Sequence, residues 1–256
     1  MSFDWKKESE MFNQMADYYD KYRPSYPSEI IDTIIAKSNL TSGSKILEIG
    51  AGSGKATEQF ADFGFEMVCI EHGEDLVKRG NEKLEGKNIK FIASKFEDYD
   101  APNKYFDAII SAQAFHWLDQ PIGYEKCANA LKDDGYLAPF WNVGLADSND
   151  ELFDIVYKYG PVSCMPRDKY EKRMETIASG IAESGRFRTP EIIHCHWEKS
   201  YSVDEYCGYL LTGNVFLQKP DEEKQQCYEG IKMLAAKNGG IIRCSYVCEL
   251  YLARKM

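Results

Sequence analysis

Short apolar segments with the length of strands alternate with segments of helical periodicity through residues 45–141. Each short segment is a brief apolar run bounded by glycine, proline or charged turn residues, which is typical of a buried strand. The predicted strands are residues 45–49, 66–71, 89–93, 106–111 and 135–141, and the predicted helices between them are residues 55–63, 74–84 and 121–131. This alternation predicts a doubly wound, mostly parallel α/β sheet with helices on both faces.

The two ends of the chain follow a different pattern. Near the start, Met11, Phe12, Met15, Tyr18, Tyr19 and Tyr22 recur at helical spacing, and two prolines then interrupt the helix. Downstream, helices are predicted at residues 147–160, 168–179, 203–211 and 220–237, and strands at residues 192–201 and 241–253. We expect these two strands to close the sheet with an antiparallel pair. The prediction is one domain (1–256), with an N-terminal lid (1–26), a ligand-binding core (44–145), a helical cap insertion (146–190) and closing strands and helices (191–256).

A glycine-rich loop, residues 50–54, follows the first predicted strand and precedes a helix. This order lets a ligand approach the backbone and meet free N–H groups at the helix N-terminus. A phosphate-binding P-loop is excluded, because Ile49 and Ala56 replace its first glycine and its magnesium-binding hydroxyl. A dinucleotide site stays open, with Lys55 in place of the third glycine. Glu71 ends the next strand, where a carboxylate can accept hydrogen bonds from both hydroxyls of a ribose.

These motifs resemble the Rossmann-like (class I) S-adenosylmethionine (SAM)-dependent methyltransferases. Residues 46–57 (ILEIGAGSGKAT) resemble the family's first motif, and residues 91–98 (FIASKFED) the segment that frames adenine. Residues 106–117 (FDAIISAQAFHW) resemble the fourth-strand motif, and residues 130–137 (ALKDDGYL) the turn that follows it. The S-x-Q-x-F-H-W form and the RPSYP element at residues 23–27 are similar to the branch of trans-aconitate and ubiquinone-biosynthesis methyltransferases, which act on small molecules.

The resemblance implies a seven-stranded sheet of order 3-2-1-4-5-7-6, with SAM as cofactor and S-adenosylhomocysteine as product. It assigns Glu48 to the cofactor amine. Arg23 would pair with the cofactor carboxylate if the N-terminal segment folds over the site. The other expected cofactor-binding residues are Gly50, Gly52, Gly54, Glu71, Phe96, Ser111 and Gln113. Lys95 stands where the family often has an acid, so we expect adenine to contact the Phe96 ring and the backbone. His116 is either a general base or a residue that packs beside Trp117 and only shapes the pocket.

The predicted reaction is in-line transfer of the SAM methyl group to a small-molecule acceptor, and it needs no covalent nucleophile. Candidate acceptor-pocket residues are Tyr26, Trp117, Trp141, Asn142, Tyr206 and Tyr209. An anionic acceptor would require one of the cap arginines, Arg167, Arg173, Arg186 or Arg188. Two alternatives stay open: a catalytically silent SAM-binding or scaffold protein, and an NAD-dependent oxidoreductase.

The composition of the chain limits the kinds of partner that the protein is expected to bind. The 256 residues carry a net charge of −10, which repels phosphate polymers and argues against a nucleic-acid partner. The sequence shows neither a secretory signal nor an apolar run near the ~20 residues of a membrane helix, so we expect a cytoplasmic location and no membrane span. The eight cysteines are expected to be reduced thiols. No metal is predicted, although His194, His196, Cys244 and Cys248 would form a zinc site if their strands paired in the right register. The oligomeric state is left open.

Overall fold

The computed structural model describes residues 19–145, 151–159, 164–165 and 167–256. Residues 19–22 are helical, which is the end of the aromatic N-terminal helix predicted from the sequence. The rest of that prediction, together with residues 146–150, 160–163 and 166 of the predicted cap, lies outside the described residues. The architecture below therefore rests on the described ranges.

A seven-stranded sheet forms the centre of the fold. Its strands are β1 (Lys45–Ile49), β2 (Glu66–Glu71), β3 (Ile89–Ala93), β4 (Phe106–Ala112), β5 (Leu131–Leu145), β6 (Glu191–Ser202) and β7 (Ile241–Arg254). The strands lie in the order β3-β2-β1-β4-β5-β7-β6; the first five are parallel, and β7 is antiparallel to both β5 and β6. A two-residue strand, Cys164–Met165, pairs in parallel with β5 as an eighth member. The predicted order 3-2-1-4-5-7-6 is confirmed.

Helices connect the strands close to the predicted positions. They are α1 (Ser28–Lys37), α2 (Thr57–Phe60), α3 (Glu74–Lys83), α4 (Gln120–Ala130), α5 (Glu151–Tyr157), α6 (Arg167–Glu183), α7 (Val203–Leu210), α8 (Asn214–Leu217) and α9 (Asp221–Lys237). A 3₁₀ turn, Phe115–Trp117, follows β4. The helix predicted at residues 55–63 is reduced to the four residues of α2, and the turn after it closes with an i→i+3 bond from Phe63 N–H to the Phe60 carbonyl. The short helix α8 was not predicted.

The two faces of the sheet carry separate apolar cores. Ile30, Ile34 and Phe60 of α1 and α2 pack against one face, and Tyr124 of α4 and Ile181 of α6 against the other. A third apolar cluster packs α5, α7 and α9 against the C-terminal end of β6 and the N-terminal half of β7. Helices α5 and α6, which the sequence analysis grouped as one cap, thus pack in different clusters. Of these two helices, α6 packs with α4 on the sheet face that includes β4 and β5, whereas α5 packs in the third cluster.

The strand register decides against the zinc site considered in the sequence analysis. Strands β6 and β7 do pair, but Cys248 lies directly opposite Cys195, and His194 lies opposite Glu249. Directly opposed residues share a face, and side chains alternate along a strand, so Cys244 and Cys248 project from the face opposite to the two histidines. Among the described residues, no group of three or more histidine, cysteine, aspartate or glutamate side chains is placed to hold a metal.

Candidate functional site

A cavity of about 450 Å³ opens at the carboxyl ends of β1, β2 and β4. Open α/β sheets bind their ligands at this edge, and the volume lies within the ~300–1,000 Å³ common for small-ligand sites. The predicted site residues on its wall are Glu48, Gly50, Gly52, Glu71, Phe96 and Gln113. Tyr19, Tyr26, Lys55, Lys95 and Trp117 also line it. The predicted residues Arg23, Gly54, Ser111 and His116 lie around this cavity without forming its wall.

The glycine loop forms the floor of the cavity in a conformation that favours glycine. Gly50, Gly52 and Gly54 all have positive φ angles, of 68°, 59° and 88°. A Cβ on Gly50 would come within 2.3 Å of the Ala114 Cβ, so this glycine permits the close approach of β1 to the end of β4. A Cβ on Gly52 would meet nothing within 4 Å, so it would project into open space. Gly50 and Gly54 serve packing, whereas Gly52 leaves room for a ligand against the backbone.

Glu71, at the end of β2, is fixed by two backbone amides. Its Oε2 accepts a hydrogen bond from Gly52 N at 2.9 Å, and its Oε1 accepts one from Gly73 N at 2.8 Å. A carboxylate oxygen can accept more than one hydrogen bond, so each keeps capacity for a ligand hydroxyl. Glu71 therefore ties the glycine loop to the β2 end and presents an anionic acceptor to the cavity.

Glu48 lies deeper, on β1 below the cavity, and is only 1% exposed. Its Oε2 accepts a hydrogen bond from the Thr57 hydroxyl at 2.6 Å, and the Cys69 thiol lies within 3.9 Å of the same oxygen. Burial, and to a smaller degree the charge of Glu71, raise the pKa of Glu48 to about 8. The side chain is thus mainly protonated at neutral pH until a cation is placed beside it. Sequence reasoning missed its partner Thr57.

Hydrogen bonds to β1 and β5 hold the carboxyl end of β4 in place. The Ser111 hydroxyl is buried and donates to the Ile49 carbonyl at 2.9 Å, so this residue joins β4 to the start of the glycine loop. Gln113 has a positive φ of 62°, and its side-chain amide donates to the Asn142 carbonyl at 2.8 Å. Asn142 in turn donates to the Ser25 carbonyl at 3.1 Å. Ser111 acts by positioning, whereas Gln113 both positions β5 and lines the cavity.

The N-terminal segment, residues 19–26, crosses the glycine loop. The Lys55 ammonium donates to the carbonyls of Asp20 and Arg23, each at 2.8 Å, and the Ser53 hydroxyl donates to the Asp20 carboxylate. Gln59 exchanges two hydrogen bonds with the backbone of Tyr26, and the Tyr26 ring packs edge-on against Phe140. Tyr19 and Tyr26 thereby reach the cavity wall. The anchoring roles of Lys55 and Gln59 were not predicted from the sequence.

Arg23 is not among the residues that line the large cavity. Its guanidinium donates to the Thr212 hydroxyl and carbonyl, and it lies 5.6 Å from the centre of the Tyr209 ring. It lines instead a narrow space of about 10 Å³ shared with Asn142, Tyr209 and Tyr246. In this geometry Arg23 links the N-terminal segment to the region after α7, and its predicted contact with the cofactor carboxylate stays a prediction.

His116 follows β4 in the 3₁₀ turn, at the rim of the cavity. Its Nδ1 lies 3.1 Å from the Trp141 Nε1, and its ring packs at 4.7 Å from that of Trp117 on the cavity wall. Loss of hydration on the packed side of the ring, and then the charge of Arg173, hold the pKa of His116 below its ordinary value. His116 is therefore a neutral imidazole at physiological pH.

The residues predicted to form the acceptor pocket lie partly on the cavity walls and partly in the apolar core. Tyr26 and Trp117 line the cavity, Asn142 and Tyr209 line the narrow space beside it, and Trp141 is only 2% exposed beneath His116. Tyr206 packs among Tyr201 and Tyr209 in the third apolar cluster. Phe96 is buried but contributes to the wall next to Lys95, where the sequence placed adenine.

Comparison with known proteins agrees with this geometry. A family model described as a methyltransferase domain matches residues 47–138. A probable S-adenosylmethionine-dependent methyltransferase of Saccharomyces cerevisiae is 30% identical over 150 residues, which cover 56% of this chain. The matched part spans about half of that yeast protein, 51% of its length.

Solved structures share the fold at low sequence identity. A candidate type II methyltransferase from Anaeromyxobacter dehalogenans superposes with a TM-score of 0.64 at 18% identity, covering 91% of this chain and 98% of that one. Phosphoethanolamine N-methyltransferase 2 of Haemonchus contortus, solved with S-adenosylhomocysteine, gives a TM-score of 0.58 at 14% identity, covering 95% of this chain and 57% of that one. Residues 47–138 of this chain are thus similar to a methyltransferase domain, and the chain shares its fold with these solved methyltransferases.

Proposed function

We propose that this protein transfers the methyl group of SAM to a small-molecule acceptor. The observation that carries the proposal is the cavity of about 450 Å³ at the carboxyl ends of β1, β2 and β4, with the glycine loop as its floor. When bound, SAM supplies a methyl group already activated by its sulfonium. The protein then has to hold the cofactor, align the acceptor with that methyl group and exclude water.

In this proposed function, different residues at the cavity hold different parts of the cofactor. Glu71 accepts from the ribose hydroxyls, and the open face of Gly52 lets the cofactor lie against the backbone. Glu48 orients the cofactor amine, which is favoured because a buried carboxyl gains most when a cation is brought beside it. Phe96 and the adjacent backbone hold adenine. Ser111 supports this arrangement by holding β4 against the loop.

A small acceptor fits the enclosure of the site better than a polymer does. The segment 19–26 is tied across the glycine loop through Lys55 and Gln59, and the net charge of −10 opposes binding of nucleic acid. The Haemonchus contortus structure holds a small ligand, phosphomonomethylethanolamine, together with S-adenosylhomocysteine. We place the activity in the cytoplasm, with reduced cysteines as support and cell fractionation as the test. In the described part of the chain, no helix has both the length and the apolar character of a membrane span.

The test is an acceptor screen with methyl-labelled SAM, read as transfer of label into small acids, quinols and amines. We expect transfer to one of these classes and its loss in Glu71→Ala. Saturable SAM binding without transfer to any class would favour the catalytically silent alternative. Thermal stabilisation by NAD and not by SAM would favour the oxidoreductase alternative.

A further inference from the structure

The contact between His116 and Trp141 fixes which ring nitrogen of the histidine carries its proton. The indole Nε1–H can only donate, and it lies 3.1 Å from the His116 Nδ1, so Nδ1 must accept. In the neutral ring the proton is then on Nε2. Neither nitrogen is left with a free lone pair, because one accepts from Trp141 and the other carries hydrogen.

Trp141 is itself held in place by a buried charged pair. It lies on β5 directly opposite Glu249 of β7, and its ring meets that of Tyr251 edge-on at 5.7 Å. The Arg173 guanidinium lies 5.0 Å from the centre of the Trp141 ring and donates to the Glu249 Oε1 at 2.9 Å. Glu249 is fully buried, and its Oε2 accepts a hydrogen bond of 2.5 Å from the Tyr251 hydroxyl.

We propose that His116, at the cavity rim beside the wall residue Trp117, donates a hydrogen bond through Nε2–H to an oxygen of a methyl acceptor that extends to this rim. Trp141, held by the Arg173–Glu249 pair, is the residue that keeps His116 in this form. The inference rests on the proposed function for the identity of the bound molecule. It replaces the general-base role considered from the sequence. His116 would contact one lone pair of an acceptor oxygen, which leaves another lone pair for attack on the methyl group, whereas Trp141 and Arg173 are positioning residues.

The charged groups around His116 favour its neutral ring. On the helix α6, the charged group whose field reaches His116 is Arg173, and a positive charge opposes protonation of the ring. On β7, Glu249 is paired with Arg173, and on the 3₁₀ turn the neighbour of His116 is the uncharged Trp117. Burial also raises the pKa of Tyr170 and Tyr251 on these elements, so both hydroxyls stay neutral.

The reaction then proceeds without proton transfer to this ring. The bond between the methyl carbon and sulfur breaks with its electron pair left on sulfur, and the new bond forms from a lone pair of the acceptor oxygen that does not accept from His116. Any proton that the acceptor releases passes to solvent. Donation from Nε2–H fixes the acceptor's orientation, which is the alignment that methyl transfer requires.

The direct test is ¹⁵N NMR of the histidine rings in the full-length protein. The chain has four histidines, so the His116 resonances are assigned by their loss in His116→Gln. We expect a neutral ring protonated on Nε2 between pH 5.5 and 8, by the tautomer argument above. A ring protonated on Nδ1, or one that titrates near its ordinary pKa of about 6.5, would overturn the proposal.

Two test variants, each with a matched control variant, separate positioning of His116 from general stability. Trp141→Phe should release Nδ1, giving a mixture of tautomers and a pKa for His116 raised by about one unit or more. Trp197→Phe is the matched control, since Trp197 donates to the Asn142 side chain instead, and it should leave His116 unchanged. Arg173→Gln should raise the His116 pKa while keeping the Nε2–H tautomer, whereas Arg186→Gln, which breaks a pair with Glu125 at the surface, should not.

These NMR results do not depend on turnover, so they distinguish this inference from the proposed function. With an oxygen acceptor from the screen, His116→Gln should retain at least ten times the kcat of His116→Ala, because an amide also donates. The wild-type kcat should lack an inflection between pH 5.5 and 8 that belongs to His116. Equal kcat in the two variants, or such an inflection, would contradict the donor role even if methyl transfer itself is established.

Discussion

The guanidinium of Arg23 donates from Nε to the Thr212 hydroxyl at 2.8 Å and from Nη2 to the Thr212 carbonyl at 3.2 Å, joining residues 189 positions apart. This contact connects the segment over the glycine loop to the turn after α7. From the sequence, we expected Arg23 to pair with the cofactor carboxylate if the N-terminal segment folds over the site. Contact with Thr212 and contact with the cofactor carboxylate predict different effects of removing Arg23 on ligands with and without that carboxylate.

Arg23→Ala should therefore act on the N-terminal segment and not on one ligand group. Loss of two hydrogen bonds from a charged donor should lower the free energy of unfolding by about 1–3 kcal/mol. Calorimetry should show equal fold losses of affinity for SAM and for methylthioadenosine, which lacks the amino-acid part. A loss of tenfold or more for SAM alone would instead establish contact with the carboxylate.

The segment 19–26 should become more protected when SAM binds, because it covers the cavity and contributes Tyr19 and Tyr26 to its wall. Lys55→Met removes the two carbonyl anchors and should increase hydrogen exchange in that segment, with a several-fold loss of SAM affinity. Lys104→Met is the control, since Lys104 pairs with Asp133 and contacts neither Lys55 nor the segment. Equal protection with and without cofactor would show that the segment is no lid.

Glu71→Ala should weaken SAM binding by about 10–100-fold, since hydrogen bonds to a charged acceptor contribute about 1.5–3 kcal/mol. Isothermal calorimetry measures the affinity, and thermal denaturation separates this loss from the effect of freeing the amides of Gly52 and Gly73. Glu85→Ala, an exposed position beyond α3, is the matched control. Unchanged affinity in Glu71→Ala would reject the ribose assignment.

Alanine at two loop glycines should have separable effects. At Gly50 the new Cβ meets Ala114 at 2.3 Å in a backbone with positive φ, so Gly50→Ala should destabilise the fold by roughly 2 kcal/mol or more. At Gly52 the Cβ enters open space, so only the backbone cost of about 1–2 kcal/mol applies to the free protein. Gly52→Ala should lose cofactor affinity more than stability. If Gly52→Ala bound SAM normally and had the same melting temperature as Gly50→Ala, this prediction would be contradicted.

Glu48 gives the stability of the free protein a pH dependence. Its folded pKa of about 8 exceeds its ordinary value of 4.5, so the folded state holds the proton more tightly than the unfolded state. Relative to Glu48→Gln, the wild-type free energy of unfolding should fall as pH rises from 4.5 to about 8, and level off above. Denaturant titrations at several pH values measure the difference. A difference independent of pH would show that Glu48 is ionised in the folded protein.

Local sequence determined the elements and part of the site. Apolar runs of strand length and helical spacing predicted the strands and most helices within a few residues, because burial of a repeating face depends on the pattern of neighbouring residues. The glycines at 50, 52 and 54 and the acid at 71 were predictable for a similar reason. Positive φ angles and a carboxylate at a strand end are requirements of one short stretch of chain, and the structure places Gly50, Gly52 and Glu71 on one cavity wall.

What the sequence left open depended on which distant residues meet. The register of β6 and β7 put the histidines and cysteines on opposite faces, and a shift of one residue would have reversed that result. Arg23 has Thr212 as its partner, and His116 has Trp141 on a neighbouring strand. The pKa of Glu48 follows from its burial. Charge state, tautomer and partner are set by the surroundings that the packed sheet and helices create, so only the tertiary structure decided them.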